Sequence, residues 1–504
     1  SSADEDAGEL PETVQGLITS RLDALSVDEA FVLKSGSVLG DRFSLDLLRA
    51  MGTGSSIRDM DRTLCSLVDK EMLVHSGAAG LAWHFRHPLI REVTYEQLTS
   101  AQRRELHSNA ARAIEKVAAD HLEPSFATLA YHWKCAGNPQ STIRYADLAA
   151  SQALQSGAYL EAAKWLGTCL DLPLREQGLD ITPKDRIRWS RQLADAHHGL
   201  GRPETRGSAA RDALAIAGRS RPHTSTGIFA NIVKHSLNWY WLQLLPRTRG
   251  QEKPEIAADL AQAYRHSAEV CYFNNDMLGM IHDCLGAARM AVQVPVSAVR
   301  GSAYTELGGI ISIAGFRRFG DGIKETGVRI AEEAGDPAAL AHVHMVLCLF
   351  AIGSGRWEEA ELGVKKCQEL CEPIDDSVTW TNAQAGLFWL NHYQYKSQAA
   401  LQAAERLQDR AYETGNRQHQ AWAHRFLSLC DLRWKKPEAA VERLEAALAL
   451  LDETGAVNER IPTFGLLALA KLHAGDVWSA RATARDGIAL LARVGRPIGH
   501  STLE

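Results

Sequence analysis

The sequence has no run of 18 apolar residues, so no segment is long enough to cross a bilayer as a helix. It opens on Ser1-Ser2-Ala3-Asp4-Glu5-Asp6, which lacks the basic and apolar stretch of a signal peptide. There is no CxxC pair: nine cysteines are scattered, and the nearest two, Cys367 and Cys371, stand one helical turn apart. That odd, unpatterned count excludes a disulfide framework and predicts reduced thiols in a cytoplasmic protein. No G-x-x-x-x-G-K-[ST] occurs, so the chain has no glycine-rich cradle of backbone N–H groups for nucleotide phosphates. Charge of one sign is also missing. Against 61 acidic residues stand 55 basic ones, and the net charge of −6 offers no general attraction to nucleic acid or anionic lipid.

What the chain does have is a recurring turn of the form small-Gly-x-bulky. It appears at Ala314-Gly315-Phe316, at Ser354-Gly355-Arg356-Trp357 and at Ala474-Gly475-Asp476, with degenerate copies at Tyr395-Lys396-Ser397 and Trp434-Lys435-Lys436. From 315 to 355 is 40 residues, then 41 to 396, 40 to 436 and 39 to 475. A period of about 40 with helical content predicts a superhelical array of helix pairs, an architecture that binds and holds more often than it catalyses. Earlier turns fall at Ser156-Gly157-Ala158-Tyr159, near Gly201 and at Asn274-Asn275-Asp276. Between repeats, Gly335-Asp336-Pro337 and Gly415-Asn416 pair a left-handed helix stop with an N-cap side chain.

At 504 residues the chain is too long for one core. Helical spacing covers 11 to 25, with Pro11 in the first turn and Val14, Leu17, Ile18, Leu22 and Leu25 on one face. Further helices are expected over Val27–Val38, interrupted by Gly36, over Leu45–Met51, and from Ile57 to about Lys70. Alternation around Gly77-Ala78-Ala79-Gly80, between Met72–His75 and Leu81–Phe85, predicts one β-hairpin. Helices followed by one hairpin make a winged-helix pattern. From Pro88 the spacing stays helical to the end, except around the linker-like Pro246-Arg247-Thr248-Arg249-Gly250. The expected organisation is an irregular start at 1–10, a winged-helix unit at 11–117, first repeats at 125–245, a linker at 246–256 and further repeats at 257–504, about eight helix pairs in all. A start without methionine and an abrupt end at Ser501–Glu504 lead us to expect a piece of a longer protein.

The stretch Phe85-Arg86-His87-Pro88-Leu89-Ile90-Arg91-Glu92-Val93-Thr94-Tyr95-Glu96-Gln97-Leu98, followed by Arg103-Arg104-Glu105-Leu106-His107, resembles the end of the ATPase module in STAND-type signalling proteins. Arg21–Leu25 and Ser37–Phe43 match the start of that region, and Leu129-Ala130-Tyr131-His132-Trp133 with Ala136-Gly137 match the first helices of its tetratricopeptide-like array. In pattern the chain is similar to bacterial class III adenylate/guanylate cyclases of the soluble adenylyl cyclase type. The resemblance implies an all-α fold, a tetratricopeptide-like solenoid preceded by a small winged-helix domain. It implies a regulatory or sensing region, not itself an enzyme, that controls a cyclase through an ATPase core holding ATP or ADP upstream. Neither the phosphate loop nor the paired metal-binding aspartates of a cyclase occur here. Two other arrangements fit: a LuxR-like transcriptional activator with the same ATPase and array, and a free-standing repeat scaffold.

The resemblance singles out His87, at the strand-to-helix junction before Pro88, as a side chain that reaches the diphosphate of a nucleotide; the plain alternative is that it caps or packs the junction. A metal at His84 and His87 lacks further ligands at the right spacing. DNA contact through Arg86, Arg91, Arg103 and Arg104 is offset by Glu92, Glu96 and Glu105, so nucleic acid is not an expected partner. Gly157, Gly201, Gly315, Gly355, Trp357 and Gly475 are expected to be turn formers. Trp239-Tyr240-Trp241 and Phe388-Trp389 with His392-Tyr393 could line a groove, but aromatics at helical spacing are more often inter-helix core. Cys367 and Cys371 read as packing, since i,i+4 thiols do not reach disulfide geometry on a helix. Arg317 and Arg318 are either an anion contact or solvated. The expected partners are a protein or peptide on the concave face and an upstream ATPase or effector domain, with no membrane contact.

Overall fold

A computed structural model describes residues 12–51, 60–76, 82–176, 178–244, 252–313 and 315–495. Pro11, the helix start at Ile57, the turn Gly77–Gly80, linker residues 246–251, Ala314 and both chain ends lie outside these residues, as does the Val14 side chain.

The first elements are α1 (Glu12–Asp23), α2 (Val27–Leu39), β1 (Arg42–Ser44), α3 (Leu45–Ala50), α4 (Met60–Asp69), β2 (Leu73–Ser76), β3 (Ala82–Phe85), α5 (Pro88–Glu96) and α6 (Ser100–Val117). Next come α7 (Phe126–Ala136), α8 (Pro139–Gln155), α9 (Tyr159–Arg175), α10 (Pro183–Gly199), α11 (Pro203–Ile216) and α12 (Ser225–Leu244). The remainder is α13 (Pro254–Phe273), α14 (Met277–Ala291), α15 (Ala298–Ile313), α16 (Arg317–Ala334), α17 (Pro337–Gly353), α18 (Trp357–Cys371), α19 (Ser377–Tyr393), α20 (Ser397–Thr414), α21 (Arg417–Arg433), α22 (Pro437–Thr454), α23 (Val457–His473) and α24 (Val477–Val494). The chain divides into two compact units, one of residues 1–152 and 168–180, the other of 153–167 and 181–504.

In the first unit the sheet has three strands in the order β1-β3-β2, all antiparallel, with Phe43 opposite Trp83 and Leu73 opposite Phe85. The alternation around β3 foretold the hairpin partners, but β1 is an addition that three residues beside a glycine did not reveal. Trp83 and Phe85 alternate inward and join Leu33, Leu48, Leu64 and Leu67 in one core. Helix α2 is not interrupted at Gly36. A side chain there would meet the Phe43 ring at 2.7 Å, so the glycine allows the helix to lie against β1. Ser26 and Glu29 form a capping box at the start of α2.

The second unit is an α–α superhelix. From α13 onward, antiparallel pairs α13–α14, α15–α16, α17–α18, α19–α20, α21–α22 and α23–α24 follow one another, while the added helix α12 packs on α14. Each within-pair turn contains one residue with positive φ: Asn275, Gly315, Gly355, Tyr395, Lys435 and Gly475. These positions are spaced by 40 residues without drift. The degenerate turns therefore register at Tyr395 and Lys435, one residue earlier than the Lys396 and Lys436 chosen from the sequence. Between pairs a second series, Gly335, Asp375, Gly415, Gly455 and Gly495, also adopts positive φ every 40 residues. The two series interleave at intervals of 20. Asp336, Asp376 and Asn416 then cap α17, α19 and α21, each accepting from the backbone N–H three residues on at 3.0 Å.

Candidate functional site

The first helices of successive pairs lie side by side and are joined by polar side chains rather than by apolar ones alone. On α13, Arg265 clamps Glu306 of α15 with two nitrogens, at 3.0 and 2.7 Å. His342 of α17 brings Nε2 within 2.8 Å of both Glu306 and Arg265. That nitrogen serves one of them at a time: as N–H it donates to the carboxylate, as a lone pair it accepts from the guanidinium. His419 of α21 meets Asn382 Oδ1 of α19 at 2.9 Å, and Trp422 Nε1 of α21 donates to Glu459 of α23 at 2.6 Å. Arg425 pairs with the same carboxylate at 3.4 Å, both side chains being almost wholly buried.

The ladder continues toward α10 and α11. Arg191 binds Asp259 at 3.0 Å and also Asp195. Asp195 is 2.5 Å from His266 Nε2, and Arg206 Nε is 2.8 Å from His266 Nδ1. A guanidinium can only donate, so Nδ1 accepts, the ring is neutral, and its one proton on Nε2 points at Asp195. Burial, with Arg206 adding to it, holds the His266 pKa below the ordinary value, in agreement with that tautomer. Arg206 also binds Glu269 at 2.7 Å, and His198 lies 4.0 Å from the other oxygen of Glu269. Burial opposes the charge on Asp195 and on Glu269. Their cationic and imidazole neighbours win, and both carboxyls sit well below the usual range. Glu306 behaves alike, held at about 2 against burial by Arg265 and His342.

This unit coils until its first helices meet its last. Asn416 Nδ2 donates to the Gly199 carbonyl at 3.1 Å, and Asn275 Nδ2 to the Val494 carbonyl at 2.8 Å. Phe273 packs with Ala421, Leu451 and Ala456, flanked by Tyr272 and Trp422. Gly201 has φ +63°, and a Cβ there would collide with Asn416 and stand 2.8 Å from the Gln418 nitrogen. Two carboxylates of the polar ladder stay partly accessible: Asp195 and Glu269 are 31% and 39% exposed, while Arg206 is 5% exposed. Four carboxylates (Asp195, Asp259, Glu269, Glu306) face three guanidiniums (Arg191, Arg206, Arg265), and of the four Asp195 and Glu269 are the more accessible.

Of the residues singled out in the sequence, His87 stands exposed at the N-cap of α5 with no capping hydrogen bond from its side chain. Gly157, Gly201, Gly315, Gly355 and Gly475 all adopt positive φ, and Trp357 opens α18, 37% exposed. None of these belongs to the ladder. Arg86 and Arg91 pair with Glu71 and Asp41, and Arg103 donates to the Glu96 carbonyl. Phe388 is fully buried and stacks on Phe426 at 4.3 Å; Trp239 packs against Tyr304, whereas Tyr240 and Trp241 are exposed. Cys367 and Cys371 are buried thiols; a hydrogen bond with Cys371 and burial raise Cys367 far above the reactive range. Arg317 and Arg318 are exposed. Among the described residues no helix is long and apolar enough to cross a membrane, and no cluster of His, Cys, Asp or Glu is arranged to hold a metal ion.

No protein-family model matches the chain, and no curated protein matches it. Among solved structures it is similar to a signal transduction ATPase with numerous domains (STAND) with a tetratricopeptide repeat sensor from Pyrococcus horikoshii. There the identity is 12%, the TM-score 0.43, and the match covers 95% of this chain and 65% of that one. The chain thus spans just under two thirds of that protein's length. A Rap protein solved with competence and sporulation factor aligns at 10% identity over 94% of this chain and 99% of that one, TM-score 0.38. Aspartyl phosphate phosphatase F of Bacillus subtilis aligns at 11% over 98% and 99%, TM-score 0.33. Alignments this loose transfer no function. The helix-pair fold rests on the 40-residue register of this chain itself.

Proposed function

We propose that this chain is a sensor and protein-interaction region whose coil receives a basic peptide segment along the polar ladder. The observation that carries this is the accessibility of Asp195 and Glu269 beside guanidiniums turned inward. An incoming lysine or arginine can join these carboxylates without displacing Arg206. Because the coil is closed on itself through Asn416 and Phe273, a ligand acts by favouring a closed or an opened arrangement, and one that binds both equally shifts nothing. Selection of displayed peptides on the immobilised chain tests this. Enriched sequences should carry Lys or Arg and lose binding with Glu269→Gln or Asp195→Asn, but not with Trp478→Ala on exposed α24. Acidic enrichment, or equal binding by all variants, would sink the idea.

On the resemblance of residues 85–107, the region is proposed to bias an ATP- or ADP-binding core, with His87 facing the nucleotide, and an adenylate/guanylate cyclase effector, both outside these residues, in the cytoplasm. The chain itself is proposed to be catalytically silent. Sequencing the whole reading frame tests the first statement, since a frame without a phosphate loop and a cyclase domain contradicts it. ATP turnover or cyclic nucleotide production by the purified chain would contradict the second.

A further inference from the structure

A cavity of about 130 Å3 lies between α12, α13 and α14, and its walls are basic. Arg219 of the loop before α12, Lys234 and His235 of α12, Tyr264 of α13, and His282 and Arg289 of α14 line it. Arg219 is neutralised by Glu252 at 2.6 Å. Lys234 and Arg289 have no ion pair among the described residues, which leaves two fixed positive charges at one cavity.

Several of its polar atoms are unused. His235 and His282 are 6% and 1% exposed, yet His235 Nδ1, His282 Nε2 and Arg289 Nε have no hydrogen-bond partner among the described residues. Buried polar atoms in folded proteins nearly always find a partner, in the protein or in what it binds. The state of His282 is set by its neighbour. Nδ1 is 2.7 Å from the Asp283 carboxylate, which can only accept, so Nδ1 carries the proton and Nε2 presents a lone pair to the cavity. A ligand that matched these groups would be an anion of about two charges that also carries one O–H donor.

We infer that this cavity is a phosphate site, in which Lys234 and Arg289 bind the anionic oxygens and His282 Nε2 accepts the remaining P–O–H proton. Inorganic hydrogen phosphate, present near neutral pH, carries two negative charges and one P–O–H, whereas the dianion of a phosphomonoester carries the charge without the proton. A carboxylate carries one charge and, once ionised, no proton, so it leaves one cation and Nε2 unmatched. Size agrees, because a cavity of about 150 Å3 holds a molecule no larger than benzene. A phosphate ion enters and a nucleotide base does not. The empty arrangement is electrostatically unfavourable. Burial and the neighbouring Arg219 lower the Arg289 pKa, and burial with Arg289 and His282 pushes His235 down to about 3. A bound dianion reverses these effects. The site is independent of the ladder reading, although α13 serves both, Tyr264 facing the cavity and Arg265 and His266 the ladder.

The test is thermal unfolding and calorimetric titration of the full chain at pH 7 with sodium phosphate, against sulfate and chloride at equal ionic strength. Phosphate should raise Tm saturably, and sulfate, a dianion without a proton for Nε2, should do so more weakly. Lys234→Gln and Arg289→Gln should each weaken phosphate binding by about tenfold, the loss expected for one charge-assisted contact. Lys234 is exposed and unpaired, so its variant keeps the fold even where Arg289→Gln does not. O-phosphoserine and phenyl phosphate, whose dianions carry no P–O–H at pH 7, should bind more weakly than inorganic phosphate, and binding as tight or tighter would overturn the proton contact given to His282. No saturable effect beyond chloride, or unchanged affinity in Lys234→Gln, would overturn the assignment, and equal affinity for sulfate would overturn the role given to His282.

Discussion

Asn416 and Gly199 are joined by a 3.1 Å hydrogen bond across 217 residues of chain, and the same asparagine caps α21 through its Oδ1. One buried side chain thereby starts a helix and closes the coil. Asn416→Ala should cost about 2–4 kcal/mol, from a lost cap and an orphaned buried carbonyl. Asn416→Asp keeps the cap but cannot donate to Gly199. Urea unfolding separates the two roles: an aspartate variant as stable as the parent would show that the cross-coil bond contributes nothing.

Gly201 and Gly355 have nearly the same φ, +63° and +69°, but only Gly201 has another segment against it. Gly355→Ala should cost about 1–2 kcal/mol, the left-handed penalty alone. Gly201→Ala should cost clearly more and should expand the coil in small-angle scattering. Equal losses and equal radii would argue against closure at that point.

The buried pair His107 and His132 meets Nδ1 to Nδ1 at 2.9 Å, with the Tyr95 hydroxyl on His107 Nε2. Burial lowers both pKa values to about 4, His107 further depressed by Arg103 and His132 by His107. The folded values lie below the unfolded one, so their stability is fully present above the unfolded pKa of about 6.5 and is lost as pH falls toward the folded value. Urea midpoints should hold above pH 7 and decline from about 6.5 to about 4. His132→Leu should reduce that slope by up to about 1.4 kcal/mol per pH unit. An unchanged slope would mean the pair is already charged in the fold.

Of the nine cysteines, Cys65 is exposed, Cys135 intermediate and the others buried. Brief iodoacetamide treatment of the native chain, read by peptide mass mapping, should modify Cys65 first and leave Cys367 and Cys371 untouched until the chain is unfolded. Early labelling of Cys367 would contradict the inert packing assigned to it.

The repeat was legible because glycine marks most of its turns. It slipped by one at Tyr395 and Lys435 because those turns force non-glycine residues into the left-handed region, and composition gives no sign of that. Asp375 escaped notice for the same reason. The ladder was not read, although a signal exists: Arg265, Glu306, His342, Asn382, His419 and Glu459 are polar residues recurring at 36 to 41 positions inside otherwise apolar first helices. What no local pattern could supply is the partner. Asp195 and His266 meet because α13 packs directly on α10, and Asn416 and Gly199 meet through the pitch of the superhelix, which sums small rotations over many pairs.

The spacing of 20 residues between successive left-handed positions also restricts how this array can change in length. One residue added inside a helix turns everything after it by about 100°, which carries an apolar stripe off its neighbour and a polar rung away from its mate. Lengthening by a whole 40-residue unit leaves every later contact in phase. Growth and shrinkage are therefore quantised, and a coil whose two ends touch can accept such a unit only by giving up the seam between Gly199 and Asn416.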